Sequence, residues 1–434
     1  MDPLTIDPTS AAPRGAPAGS NGSFPHGRPL HVLTVRGDLR FGGDETRGLS
    51  FARTVNPALV RNTVVTVNHP NTRPQPELRT HYAAAGLDVL SLGDDDSGAI
   101  SLLSDAQVSK WQKAAALAKN LRKARRLVGR LRALILDLDV DIIDAHGEMP
   151  SLWAVAAGHL TGRPVAVTAY HLEGRADSRV MWLLGQFSWG WADTLISDSY
   201  YAVDLMRRFS LRQPRRLLVV RNGVVRPDTA GTTRADARRR LGLPEDPAVT
   251  VIGQVSRLHP LKGHRYVIEA MPAVLAEHPD TWFAFVGYVE DPTYRDQLWN
   301  QARELGVAHR LTITSHPGDI GEVWPAIDVQ VHASLLESLP IAIAEGMSLA
   351  KPAVVTAVAG TEEEVTDKET GLVVPPGDPD RLAAALACLL DDPEWAAELG
   401  AAAAERYEQM FQPVIMARAL EDIFWEMACH AGRR

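Results

Sequence analysis

Two carboxylates eight positions apart, Glu337 and Glu345, stand in the run HASLLESLPIAIAEGMSLAKPAVVT (residues 332–356). An apolar strand, Val329 to Val331, leads into a polar turn that holds the first of them. Ser338 is placed to cap the following helix, and Pro340 is tolerated in its first turn, where the early N–H groups lack intrahelical partners. Glu345 then lies about one and a half turns along that helix, at roughly 100° per residue. The amides of Ser338 and Leu339 fall between the two acids. Acceptors for hydroxyls beside backbone donors for anionic oxygens suit a polyhydroxylated, phosphate-bearing ligand.

A second set precedes it in VIGQVSRLHPLKGHRYVIEAM (residues 251–271). Arg257 and Lys262 follow a strand and precede a helix with Val267, Ile268 and Met271 at its apolar positions. Two cations at a strand's carboxyl end, beside Gly253 and Gly263, suit a diphosphate: Arg forks two oxygens and Lys supplies a mobile point charge. Glu337 is expected on the same edge of the same sheet.

Other polar groups carry less. Gly42 and Gly43 (GDLRFGGDETR) lie in the loop after the first strand, where a missing Cβ lets backbone approach a ligand. His146 ends the strand IIDAH and His171 ends VAVTAYH, both where sheet ligands bind. Neither has a second His or Cys at ligand spacing, so no metal site is expected. Asp94–Asp96 and Asp137–Asp139 form Asp-x-Asp patterns, but the first lies in a loop without nucleotide-binding context and the second at a helix end. There is no P-loop and no dinucleotide glycine pattern after a strand.

Those residues need a scaffold. At 434 residues, with 45% hydrophobic and 23% charged content, the chain predicts a globular protein of two or three domains. A net charge of −8 gives no overall pull toward nucleic acid. The two cysteines, Cys388 and Cys429, cannot build a disulfide framework, which points to a reducing cytoplasm. No window approaches a membrane span. The first 28 residues, rich in Pro, Gly, Ala and Ser, lack a signal-peptide core and read as a disordered tail.

Short apolar runs alternate with helical patterns, which predicts parallel βαβ construction. Strands are expected near 30–35, 63–67, 88–92, 142–145, 165–169, 194–197 and 217–220, and again near 249–254, 282–286, 311–314, 329–331, 353–358 and 371–374. The pattern lapses at Asp228–Thr233. The expected organisation is a tail (1–28), a first doubly wound domain (29–225), a second (226–412) and a last helix (413–434) free to cross back to the first. Ligands of such sheets sit outside the carboxyl ends of the strands. The basic stretch 110–136 repeats apolar residues at helical spacing (Leu117, Leu121, Val128, Leu131, Ile135). Its first reading is a sheet-packed helix with a basic solvent face, and its second is peripheral contact with anionic lipid. The aromatic segment Met181–Trp191 reads as core.

The ordered motifs S-x-x-E-S-L-P-x-x-x-x-E-G-M, AGTEEEV and TGLVVPPGDPDRLA, with R-x-x-x-x-K-G and RNGV upstream, resemble the donor domain of retaining GT-B glycosyltransferases of family 4. The resemblance is strongest over residues 217–385. It implies an α/β GT-B fold of two doubly wound Rossmann-like domains facing a cleft, and metal-independent hexosyl transfer from a nucleotide sugar to a small-molecule, glycan or lipid-linked acceptor. Arg257 and Lys262 would neutralise the diphosphate, Glu337 with the Ser338 and Leu339 amides would hold the donor sugar, and Glu345 the ribose. Gly42 and Gly43 match the family's glycine loop, and His171 its histidine near the donor sugar; no cofactor is implied. A nucleotide-sugar 2-epimerase shares the architecture without this Glu337/Glu345 run. A non-catalytic binding protein of the same fold is the alternative from another class.

Overall fold

The computed structural model describes residues 28–39, 42–68, 78–93, 110–169, 179–316 and 319–431. His171, Asp94, Asp96 and the tail through residue 27 lie outside the described residues, as do the side chains of residues 110–121.

Contacts divide the chain into two compact units, one reaching Gly223 and resuming at Pro413, the other Val224–Gln412. The boundary falls before the expected 225/226 because Val224 is already bonded within the second unit. Its N–H donates to the Phe411 carbonyl at 2.8 Å, and its carbonyl accepts from the Tyr407 hydroxyl at 2.7 Å.

The first unit holds strands β1 (Leu30–Arg36), β2 (Val60–Thr66), β3 (Val89–Ser91), β4 (Ile142–His146), β5 (Val165–Thr168), β6 (Thr194–Ser197) and β7 (Leu217–Val219). They pair in parallel in the order β3-β2-β1-β4-β5-β6-β7. The second holds β8 (Thr250–Val255), β9 (Thr281–Val286), β10 (Leu311–Thr314), β11 (Val329–His332), β12 (Ala353–Thr356) and β13 (Leu372–Val374), parallel in the order β10-β9-β8-β11-β12-β13. Every expected strand is present. Helices on both faces bury most residues of these strands, and their apolar runs, such as Ile142–Ile143, are easily read.

In the second unit the helix His264–Glu277 buries Val267, Ile268, Met271 and Val274 against Phe283, Phe285 and Val331. Each side chain so buried contributes about 1.5–3 kcal/mol. In the first unit the helix Pro413–Ala431 buries Met416, Leu420, Phe424 and Met427 with Leu30, Val32 and Ile142. Their spacing of three to four residues forms one apolar stripe, which this core receives.

Two helices of the first unit refine the sequence reading. Lys110–Asp137 buries Leu127, Leu131 and Ile135 and exposes Arg125, Arg126 and Arg130, the disposition of a sheet-packed helix. Over its described side chains, residues 183 and 185–191, the helix Arg179–Trp191 is core on one side only. Trp189, Ser188 and Gln186 are buried, whereas Leu183, Phe187 and Trp191 share an exposed face.

Candidate functional site

The second unit's sheet order reverses direction between β8 and β11, a topological switch point. The loops following these two strands carry the residues singled out by sequence. After β8 the chain passes Arg257 and turns through a short 3-10 helix, Pro260–Lys262. After β11 it runs from Ala333 to Pro340 before the helix Ile341–Ser348.

Backbone contacts lace the two loops together. The Leu335 N–H donates to the Leu261 carbonyl at 2.8 Å. Gly263 sits at φ +69°, where a Cβ would come 1.8 Å from the Ala333 carbonyl oxygen, so only glycine permits this approach. The Thr356 hydroxyl, at the end of β12, donates to the Ser334 carbonyl at 2.6 Å.

That lacing brings Lys262 and Glu337 into an ion pair between Nζ and Oε1, with both side chains largely buried. The Ser334 hydroxyl donates to the same Oε1 at 2.8 Å, and the Gln254 amide donates to the Lys262 carbonyl at 2.7 Å. The charges expected to face different parts of a ligand therefore neutralise one another. Arg257 stands apart, 55% exposed, with Nη1 3.3 Å from Glu290 Oε2. His264 and His332, beneath the Lys262 turn, are held at a pKa of about 3 by burial and by the lysine charge. They stay neutral at physiological pH and add no competing positive charge.

Glu345, on the helix Ile341–Ser348, is pushed up to about 7 by desolvation, although the Trp324 indole N–H donates to its Oε2 at 3.3 Å. The sign is that of an acid with a raised folded-state pKa. The folded chain keeps a proton that the unfolded chain has released, so stability falls as pH rises from about 4.5 to about 7. Glu345→Gln removes this loss. Its unfolding free energy relative to wild type is expected to rise by about 2–3 kcal/mol between roughly pH 5 and pH 8, as read from urea unfolding.

Two expectations are corrected. Ser338 does not cap the helix, which starts at Ile341 with Pro340 in the N-cap position and no side-chain cap bond. Gly253 lies inside β8, where a Cβ would come 2.6 Å from Ile327, so its smallness serves packing within the sheet layer. The carbonyl of Ser338, with Leu339 beside it, faces Gly360.

In the first unit Gly42 precedes and Gly43 begins the helix Gly43–Thr54, with Gly42 in extended conformation (φ −164°). Asp44 of that first turn is held by Arg36 at 2.7 Å and by His146 Nδ1 at 2.8 Å, while His146 Nε2 meets Asp144 at 2.8 Å. Both ring nitrogens are thus engaged by carboxylates. Burial and Arg36 push the His146 pKa down, but Asp144 and Asp44 outweigh them and raise it. His146 is thus fixed at both ring nitrogens within the first unit. Sequence reasoning missed Glu290 and Trp324, whose partners Arg257 and Glu345 lie on separate elements, and it gave Ser334 of the S-x-x-E motif no role.

No group of three or more His, Cys, Asp or Glu arranged to hold a metal occurs among the described residues.

The profile of glycosyl transferases group 1 matches residues 233–406, and that of glycosyltransferase family 4 matches residues 77–226. Glycosyltransferase profiles thus match stretches of both units, and the fold is GT-B. D-inositol 3-phosphate glycosyltransferase of Thermobispora bispora is 30% identical over 243 residues, 54% of this chain and 56% of that protein. The enzyme of that name from Corynebacterium aurimucosum is 28% identical over 326 residues, 69% of this chain and 76% of that one. The chain spans about half the length of the first curated relatives it matches. The Anabaena protein HepE in complex with UDP-glucose superposes with a TM-score of 0.73 at 19% identity, covering 91% of this chain and 99% of that one, a likeness of fold.

Proposed function

We propose that this glycosyltransferase moves a hexosyl group from a nucleotide sugar to an acceptor hydroxyl with retention of anomeric configuration, and without a metal ion. The observation that carries this reading is the Lys262–Glu337 pair at the β8/β11 switch point. An incoming diphosphate competes for the Lys262 ammonium and frees the Glu337 carboxylate to accept hydrogen bonds from sugar hydroxyls. Arg257, exposed at the same strand end, leaves Glu290 for a second phosphate oxygen. As the leaving group departs, negative charge grows on the diphosphate, where these two cations stabilise it. The acceptor hydroxyl attacks from the face of departure and passes its proton to the leaving diphosphate oxygen. Glu345 holds the ribose hydroxyls as a carboxylate.

UDP-glucose is the first donor to test, because the structurally similar HepE binds it. D-inositol 3-phosphate is the first acceptor, because relatives are named for it. Two unpaired thiols, Cys388 and Cys429, support a reducing cytoplasm as the place of work.

Proton NMR of the product in the presence of EDTA tests the mechanism. An α-linked product from an α-configured donor is expected, and a β-linked product contradicts the reading. Glu345 adds a pH signature. Donor affinity is expected to rise as pH increases through about 7, where the carboxylate ionises, and Glu345→Gln is expected to flatten that rise and to weaken binding about tenfold. A wild-type affinity independent of pH would remove Glu345 from the ribose site.

A further inference from the structure

The helix Arg179–Trp191 presents Leu183, Phe187 and Trp191 at four-residue spacing, exposed by 51%, 47% and 43%. Phe187 and Trp191 stack with ring centroids 5.5 Å apart and planes inclined by 26°. The Arg212 guanidinium lies over the Trp191 ring at 4.6 Å. Leu211, 68% exposed, is fixed alongside, since its N–H donates to Gln186 Oε1 at 2.9 Å. Single apolar residues are ordinary on a surface, but a contiguous aromatic and aliphatic patch with a guanidinium packed on it marks an interaction site.

Charge selects the partner. Residues 204–216, DLMRRFSLRQPRR, contain five arginines and one acid on a chain whose net charge is −8. Arg208 pairs with Asp204, Arg215 with Asp193 and Arg216 with Glu426, while Arg212 packs on the aromatic patch itself. A two-fold contact with a second copy would stack like charges on one another. The helix Glu148–Thr161 packs between this helix and Lys110–Asp137, so the exposed Arg125 and Arg126 belong to the same helical layer. Among the described residues no helix is long and apolar enough to cross a membrane.

A short amphipathic face with a tryptophan, a phenylalanine and a cationic rim fits the headgroup region of an anionic bilayer. We propose that this face of the first unit rests on an anionic lipid surface. Leu183, Phe187, Trp191 and Leu211 enter the headgroup–acyl boundary, and the arginines meet lipid phosphates. The contact lies two helices away from the basic stretch 110–136 that the sequence first suggested.

Co-sedimentation of the full chain with vesicles tests this, comparing pure phosphatidylcholine with phosphatidylcholine containing phosphatidylglycerol. Binding is expected with the anionic vesicles, weakening with added salt, and not with the neutral ones. The double variant Phe187→Ser, Trp191→Ser is expected to lose about tenfold or more of that binding. Leu183→Ser with Leu211→Ser, which spares the Trp191 packing, is expected to weaken it as well. Far-UV circular dichroism of each variant confirms the fold. Failure of the wild-type chain to bind anionic vesicles overturns the proposal, as does full binding by both variants. A dimer in sedimentation velocity that Phe187→Ser dissociates overturns it in favour of a second copy. The assay reads lipid binding alone, so its outcome is independent of the nucleotide-sugar reading.

Discussion

Lys262→Ala is expected to lower sugar transfer by about 10²–10³-fold, the loss that follows when one fixed group facing developing charge is removed. Lys262 is held by its partner Glu337, by the Gln254 bond to its carbonyl at 2.7 Å, and by a turn that Gly263 closes against Ala333. Its ammonium therefore needs little reorganisation to meet a diphosphate. Truncation also leaves Glu337, largely buried, with the Ser334 hydroxyl but without its cation. Part of the loss should then appear as weaker donor binding, because the uncompensated carboxylate repels phosphate. Lys262→Arg keeps the charge and is expected to recover part of the rate but not all, since a planar fork does not fit the place of a compact ammonium. Initial rates at saturating acceptor, with thermal unfolding to confirm the fold, measure this. Full turnover in Lys262→Ala would take Lys262 out of the site.

Gly360→Ala is expected to be almost as damaging by another route. Its Cβ would lie 1.5 Å from the Ser338 carbonyl oxygen, so backbone must move. If the loops resist, the fold loses about 3 kcal/mol or more, in the range of severe overpacking. If they yield, the segment displaced is the one bearing Glu337, Ser338 and Leu339. In that case stability partly recovers and donor affinity falls instead. Urea unfolding and nucleotide titration on the same variant separate the two outcomes. A variant unchanged in both would show that the β12 and β11 loops do not pack as described.

The sequence was most legible where one physical demand governs a segment. Strands buried on both faces must be apolar, so both sheets could be outlined from Leu30 to Val374. Glu337 and Lys262 were found because charged residues just past strand ends fall on the ligand edge of a parallel sheet. It was least legible where the outcome depends on what arrives from far along the chain. Ser338 carries a capping side chain, yet Pro340, with φ −71° and ψ 118°, delays the helix and leaves the serine in the loop. Gly253 reads as a ligand-facing glycine until Ile327 is seen packed over it. Trp324 reaches Glu345 from 21 residues away, and no local pattern announces the bond. Phe187 and Trp191 have the composition of core residues, and only the packing of Trp189 on the opposite side turns them outward. His146, at the end of β4, showed its position but not its occupation by Asp44 and Asp144.

The proposed binding of a nucleoside diphosphate at the β8/β11 switch point rests on Lys262 and Glu337. Thermal unfolding of wild type and Lys262→Ala with UDP, GDP and ADP, each also as its sugar, tests it most directly. One nucleotide, present at about a hundred times its dissociation constant, is expected to raise the wild-type midpoint by about 5–10 °C. The same concentration should leave Lys262→Ala nearly unmoved. No shift with any nucleotide, or an equal shift in the variant, would take nucleotide binding away from Lys262.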